Sequence, residues 1–126
     1  MAATKKNSKT EALYSKAVHW VKRRGFSKVK VNTDLEEFDK PTSFNREDAD
    51  KAVTPDITAM RRGRKSYFEI AIKGANERFL VTKWKLMARL ARLKQGKFYL
   101  LAPHGHRTFA NRLIKRYGIN AEVVSL

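Results

Sequence analysis

Two acidic residues and a lysine stand close together near the middle of this sequence. Asp56 opens one apolar segment, and Glu69 and Lys73 lie in the next. Carboxylates on neighbouring strands present the oxygen ligands that Mg²⁺ requires, and bound Mg²⁺ polarises a phosphodiester while supplying activated water. A nearby lysine orients that water and offsets the charge that develops on the phosphate. These residue types therefore suit metal-dependent chemistry on a phosphodiester.

The same residues also have an ordinary structural interpretation. Pro-Asp is a common turn dipeptide, and Glu69 with Lys73 fits the solvated face of a strand. Glu11 presents a similar choice, because it follows Ser8 at the spacing of a capping box and so has a role at a helix start. The elements that carry these residues decide between the two interpretations.

The acidic pair falls on a predicted β-hairpin. Residues 56–60 and 66–73 form its strands, and a basic turn around Gly63 joins them. Because side chains alternate across a strand, Glu69 and Lys73 share one face of the returning strand. The hairpin thus places the charged residues on two adjacent strands.

Helices and further strands precede and follow the hairpin. A helical repeat of apolar residues predicts a helix over 9–24, ended by Gly25. Residues 32–53 contain most of the acidic groups without a sustained period, which predicts a long loop with at most one short helix. The other predicted elements are strand 26–31, helix 79–94 followed by Gly96, strand 97–101, helix 107–117 and strand 122–126.

This order of elements predicts the fold class. Strand-helix-strand units near the C-terminus favour parallel pairing with right-handed crossovers, whereas the hairpin is antiparallel. We therefore expect an α/β fold in three layers, with a mixed central sheet and helices on both faces. The length fits a single domain over residues 1–126, in which residues 1–8 are expected to be flexible.

At these residues the sequence resembles the PD-(D/E)XK nuclease superfamily, which includes restriction enzymes and Holliday junction resolvases. The segments 54–57 and 68–73 carry the resemblance, and the order of elements extends it over nearly the whole chain. It implies a restriction-endonuclease-like fold, with Asp56 and Glu69 as ligands of Mg²⁺ or Mn²⁺ and Lys73 as the catalytic lysine. Glu11 corresponds to an acidic residue that some resolvase-like members add to the site.

The sequence departs from the family pattern in one spacing. The family usually leaves one residue between the second acid and the lysine, whereas three separate Glu69 from Lys73. A regular strand would place their Cα atoms roughly 13 Å apart instead of roughly 7 Å. Ala71 stands where an acid would be expected before Lys73. Either Glu69 acts from a shifted position, or the site has decayed and the fold serves binding alone.

The charge of the chain indicates its partner. The formal net charge is 28 − 12 = +16, and the sequence pI of about 10.4 is typical of nucleic-acid binding. The N-terminus is polar and basic, and no long apolar run predicts a membrane span. The absence of cysteine excludes disulfides and fits a reducing, cytoplasmic compartment. We expect DNA as the partner, with RNA as an alternative.

Two groups of basic residues are predicted to contact nucleic acid. One is the hairpin turn, and the other is a basic flank on the helix that follows it. Their members are Arg61, Arg62, Arg64, Lys65, Lys83, Lys85, Arg89 and Arg92. A solvated helix face is the ordinary alternative for the second group.

Two further features have weaker interpretations. His104 and His106 flank Gly105 in a predicted turn, where an exposed loop, a phosphate contact or a metal site are the alternatives. Trp84 and Met87 lie on an apolar helix stripe, which predicts core packing in preference to base stacking.

These observations together predict a metal-dependent endonuclease that hydrolyses DNA phosphodiesters. Its small size favours selection of DNA structure, such as a branch or an end, through phosphate contacts. A homodimer is consistent with compact members of the superfamily. The main alternative is a non-catalytic nucleic-acid-binding protein with a degenerate nuclease fold, part of a larger assembly, and a third is a ribosome-associated basic protein.

Overall fold

A five-stranded mixed β-sheet organises the chain. The computed structural model describes residues 9–33, 38–44, 53–74 and 76–126. Its elements are α1 (Glu11–Arg23), β1 (Ser27–Val31), β2 (Ile57–Arg61), β3 (Arg64–Ile70), α2 (Glu77–Leu93), β4 (Gln95–Ala102), α3 (Arg107–Tyr117) and β5 (Glu122–Ser125). The strands lie in sequence order, with β1, β2 and β3 antiparallel and β3, β4 and β5 parallel. The predicted α/β class, mixed sheet and element order are confirmed.

The two sides of the sheet carry separate hydrophobic clusters. On β3, Phe68 and Ile70 belong to a cluster with α1, whereas Tyr67 belongs to a cluster with α2 and α3. Because side chains alternate across a strand, α1 packs against one face of the sheet and α2 and α3 against the other. Trp84 and Met87 are fully buried in the second cluster, so the prediction of core packing is confirmed.

The helices are amphipathic, with one apolar stripe against the sheet. Thr10 caps α1, because its side-chain oxygen accepts a hydrogen bond from the Leu13 amide at 3.3 Å. The predicted capping box of Ser8 and Glu11 is therefore wrong, because Thr10 is the N-cap and Glu11 is the first residue of the helix. Ser8 itself lies outside the described residues. Within the described ranges, no helix has the length and apolar character that crossing a membrane requires.

The hairpin has a tighter turn than the sequence predicts. Arg61 pairs with Arg64, so only Arg62 and Gly63 form the turn, with φ of 55° and 76°. Positive φ at both positions is typical of the two-residue turns that match the twist of hairpin strands. The second strand also ends at Ile70, three residues earlier than predicted.

Gly96 does not end α2, as the sequence predicts, but lies inside β4. Gln95 occupies the left-handed position after the helix, with φ of 62°. A Cβ atom on Gly96 would lie 1.9 Å from the carbonyl oxygen of Lys65, which belongs to the neighbouring strand. Glycine is therefore required because β3 and β4 approach closely here.

The predicted loop 32–53 is described in part. Phe44 and Val53 form an antiparallel bridge through two backbone hydrogen bonds of 2.7 and 2.6 Å. The Val31 amide donates to the Asp39 carbonyl at 2.8 Å, which ties the loop to the end of β1. Residues 34–37 and 45–52, and the predicted flexible residues 1–8, lie outside the described part of the chain.

We predict that Gly96→Ala destabilises the protein by about 2 kcal/mol, within the usual range for overpacking, because the backbone of β3 must move to admit the methyl group. Urea denaturation measures the change. Gly74→Ala is the matched control, since the nearest atom to its Cβ is at 3.7 Å and its backbone needs no positive φ. Equal stabilities of the two variants would contradict the close approach.

Candidate active site at the end of β3

Asp56 and Glu69 meet at the end of the hairpin remote from its turn. Ile57 pairs with Phe68, so the register places Asp56 opposite Glu69. The Asp56 amide donates to Glu69 Oε2 at 2.8 Å, and the Ile70 amide donates to Asp56 Oδ2 at 2.9 Å. Both side chains are buried, with Asp56 2% and Glu69 0% exposed. The predicted pair thus converges.

Two lysines contact the paired carboxylates. Lys9, just before α1, places Nζ 2.5 Å from Asp56 Oδ2 and 4.0 Å from Glu69 Oε1. Lys83, on α2, places Nζ 3.0 Å from Glu69 Oε1 and 3.9 Å from Asp56 Oδ1. We call these four residues the carboxylate-lysine cluster. Its two negative and two positive charges balance, which permits burial.

The cluster stands at the carboxyl end of β3, the end of parallel strands at which ligands often bind. The three described helices also begin at this end of the sheet, because α2 follows β3, α3 follows β4, and α1 runs away from the cluster towards β1. The positive ends of their dipoles therefore lie on the same side of the sheet as the cluster. Tyr14 of α1 adds a hydrogen bond from its hydroxyl to Asp56 Oδ1 at 3.3 Å.

Burial and charge together set the protonation of the cluster. Burial alone raises the pKa of Asp56, but the charges of Lys9 and Lys83 and hydrogen bonds from Lys9 and the Ile70 amide outweigh it and lower the pKa. Burial, and then the negative charge of Asp56, raise the pKa of Glu69. The charges of Lys83 and Lys9 lower it, but they do not outweigh these two effects. Burial lowers the pKa of Lys83, yet Glu69 and Asp56 outweigh this and raise it.

The prediction that Lys83 lies on an exposed basic flank is wrong, because the residue is only 9% exposed. A signal for this was present, since Lys83 falls on the same helical stripe as Leu80, Trp84 and Met87. A lysine within an apolar stripe needs a buried partner of opposite charge. The other predicted contacts on α2, Lys85, Arg89 and Arg92, are exposed as expected.

Lys73 and Glu11 lie outside the cluster. Lys73 is exposed beyond the end of β3, and its amide donates to His106 Nδ1 at 2.9 Å. His106 therefore joins the loop after β3 to the loop after β4, while His104 is exposed. Glu11 is exposed in the first turn of α1, where a negative charge favours the helix dipole.

The predicted hairpin contacts lie far from the cluster. Arg61 is five residues along the strand from Asp56, and Arg64 is five residues from Glu69. At about 3.3 Å per residue the separation is about 17 Å. The basic turn and the carboxylates therefore occupy opposite ends of the hairpin.

The cluster has features that fit a divalent cation. Glu69 Oε1 has no hydrogen-bond partner of suitable geometry, although Lys83 Nζ lies 3.0 Å from it. The Lys9 ammonium group already stands as a cation within 4.0 Å of both carboxylates. Among the residues described, no group of three or more His, Cys, Asp or Glu suits a metal ion. The protein would thus supply two oxygen ligands, as many Mg²⁺ sites do.

Lys9 was not predicted, and the sequence carries no signal for it. It precedes the helical repeat of α1 and stands in a segment rich in lysine. Only the packing of α1 against the sheet brings its ammonium group to Asp56, 47 residues away in the chain.

We predict that Lys83→Met destabilises the protein by about 3 kcal/mol at pH 7, because it leaves a buried carboxylate without its counter-charge. The loss should shrink as the pH falls towards 5. Protonation of Glu69, whose pKa is already raised, then removes the unbalanced charge. Urea denaturation across this pH range measures the effect.

Lys85→Met is the matched control, since Lys85 is exposed on the same helix. Its effect should stay within about 0.5 kcal/mol at every pH. A Lys83→Met variant that loses as much stability at pH 5 as at pH 7 would show that the unbalanced carboxylate is not the cause.

No match to this chain was found among models of protein families, among curated proteins or among solved structures. The contacts of the carboxylate-lysine cluster and the charge of the chain are therefore the observations that bear on function.

Proposed function

We propose that the protein is a metal-dependent nuclease that hydrolyses phosphodiester bonds of nucleic acid at the carboxylate-lysine cluster. One observation carries the proposal. Two buried carboxylates, one just ahead of β2 and one on β3, converge with two lysines at the carboxyl end of β3, in a chain of net charge +16. Such a group is costly to bury, and costly groups of this kind concentrate at functional sites.

The fold that we propose is the three-layer restriction-endonuclease-like arrangement. Its support is the packing of α1 on one sheet face and of α2 and α3 on the other. The hairpin also carries one acid ahead of β2 and one within β3, as the resemblance implies.

Asp56 and Glu69 are the residues that would hold Mg²⁺ or Mn²⁺. The pKa of Asp56 is lowered, so this carboxylate stays ionised and available as a ligand at neutral pH. Glu69 Oε1 is the second candidate ligand; it accepts no hydrogen bond of suitable geometry, and it forms an ion pair with Lys83 at 3.0 Å that a metal ion would have to share or displace. When bound, the metal ion would polarise the scissile phosphate and activate water.

Lys83 replaces Lys73 in this proposal as the catalytic lysine. The family position two residues after Glu69 is Ala71, which is fully buried, and the ammonium group comes instead from α2. Because its pKa is raised, Lys83 stays protonated at neutral pH and cannot act as a base. Its role is to offset negative charge that develops on the phosphate.

A non-catalytic nucleic-acid-binding protein is the second candidate. The observation that favours it is the charge balance of the cluster, in which Lys9 and Lys83 together neutralise Asp56 and Glu69. A neutral cluster needs no metal ion, and it would then serve only to hold α1 and α2 on the sheet.

Cleavage assays test the proposal directly. The purified protein is incubated with branched, single-stranded and duplex DNA, and with RNA, in Mg²⁺, Mn²⁺ or EDTA. We expect metal-dependent cleavage that falls by at least about a hundredfold in Asp56→Asn and Lys83→Met, the scale for loss of one preorganised charged group. Lys73→Met should retain activity, since Lys73 lies outside the cluster.

Binding is measured on the same preparations by fluorescence anisotropy. Binding without cleavage of any substrate by any metal would assign the protein to the second candidate. Loss of cleavage in Lys73→Met but not in Lys83→Met would return the catalytic role to Lys73.

We further predict that Lys9→Met binds Mn²⁺ about tenfold more tightly than the wild type, because a cation must displace the Lys9 ammonium group from Asp56. The magnitude corresponds to about 1.4 kcal/mol, near the lower value for a charged hydrogen bond. Titration followed by electron paramagnetic resonance of free Mn²⁺ measures the affinity without reference to activity.

Lys16→Met removes the same charge from an exposed position on α1 and is the control for long-range electrostatics. Equal Mn²⁺ affinities of the Lys9 and Lys16 variants would mean that Lys9 does not compete with the metal ion.

A further inference from the structure

The end of the sheet that carries the hairpin turn is densely basic. Lysines and arginines there come from the turn, from the bulged part of β1, from the end of α2 and from the start of β4. We call this the hairpin-end surface, and its members are Lys28, Arg62, Arg64, Lys65, Lys94 and Lys97. None of them forms an ion pair with any residue in the described part of the chain.

The arrangement places like charges against one another. Arg61 stands directly opposite Arg64 across the hairpin, and such like-charge pairs are destabilising. Partial burial, and then the charges of Lys30 and Lys94, lower the pKa of Lys65. The surface therefore carries an electrostatic cost that a bound anion would relieve.

Positive φ angles also concentrate at this end of the sheet. The three non-glycine residues with positive φ in the described ranges are Lys28 at 50°, Arg62 at 55° and Gln95 at 62°, and all lie here. Arg62 adopts this conformation within the two-residue turn and Gln95 at the position after α2, whereas Lys28 lies in the irregular part of β1. A left-handed conformation costs a non-glycine residue of the order of 1–3 kcal/mol.

Irregular strand pairing occurs at the same end. The register shifts between Ser27 and Lys30 in the β1–β2 pair and between Lys65 and Tyr67 in the β3–β4 pair. Bulges redirect side chains and are frequent beside functional sites. The two register shifts and the three left-handed residues thus lie at the same end of the sheet as the basic residues.

Clefts join this surface to the basic face of α2. A cleft of about 100 Å³ is lined by Arg62, Arg64 and Lys97, and one of about 480 Å³ by Arg92 and Lys97. Lys97 borders both clefts. Arg92 in turn shares the exposed face of α2 with Arg89 and Lys85, at helical spacing. Basic residues therefore border both clefts between the hairpin turn and the end of α2, although Glu122 also lines the larger one.

We propose that the hairpin-end surface is a preformed phosphate-binding site for the backbone of nucleic acid, separate from the carboxylate-lysine cluster and independent of metal. The choice of nucleic acid rests on the proposed function. The distance of about 17 Å between the cluster and the hairpin turn corresponds to about five base-pair steps of about 3.4 Å. A substrate held at both ends must extend at least that far from the bond that is cut.

The test is fluorescence anisotropy of a labelled duplex of about two helical turns, ~20 base pairs, in EDTA over a series of salt concentrations. Arg62→Ala/Arg64→Ala should weaken binding at least about tenfold and lower the salt dependence of log K by about 1.8, the value for two phosphate contacts. Arg64→Ala/Lys97→Ala is the second variant, in case the first does not fold. Thermal melting checks that each variant is folded.

Lys16→Ala/Lys115→Ala is the matched control, because both residues are exposed on helices and the pair removes the same charge. Equal losses of duplex affinity in the control and in the hairpin-end variants would overturn the site. The site would also be overturned if polyglutamate displaced the duplex as effectively as single-stranded DNA of equal charge. If no cleavage is detected but the variants lose affinity as expected, the phosphate-binding site is supported and the proposed hydrolysis is not. If cleavage is detected but the variants bind as tightly as the wild type, the proposed hydrolysis is supported and this site is not.

Discussion

The burial of Asp56 and Glu69 against each other is the constraint on which the rest of the structure depends. Two carboxylates out of water are tolerated only if cations of matching charge are brought to them. Lys9 arrives from before α1 and Lys83 from α2, so helices on opposite faces of the sheet are tied to one point. The ion pairs of the cluster therefore link the helices on the two faces of the sheet, in addition to any chemistry at the site.

The two ends of the hairpin carry charge in different forms. The cluster end combines balanced buried charge with the positive ends of three helix dipoles. The opposite end carries cations, most of them exposed, that form no ion pairs with described residues. A polyanion is attracted to the whole molecule by its net charge. The two ends differ in the charge that they present to it, namely cations without ion-pair partners among the described residues at one and buried, charge-balanced carboxylates at the other.

Much of the fold and half of the cluster could be predicted from the sequence. Apolar periodicity and turn residues are local signals, which is why the element order and the pairing of Asp56 with Glu69 emerged correctly. The errors arose where tertiary contacts override local pattern. Gly96 is explained by the carbonyl of Lys65 on another strand, and Lys83 by carboxylates on β3 and ahead of β2. Lys9 could not be found, because no local pattern marks a lysine that reaches across 47 residues.

The reciprocal hydrogen bonds of the two acids have a further consequence. Glu69 accepts from the Asp56 amide, and Asp56 accepts from the Ile70 amide, so each side chain occupies a backbone donor of the other's strand. The two carboxylates thus satisfy backbone amides at the end of the β2–β3 pair. Replacing either one by alanine would leave a buried amide without an acceptor. Both acids are therefore required for the fold at this edge, whether or not the cluster carries out a reaction.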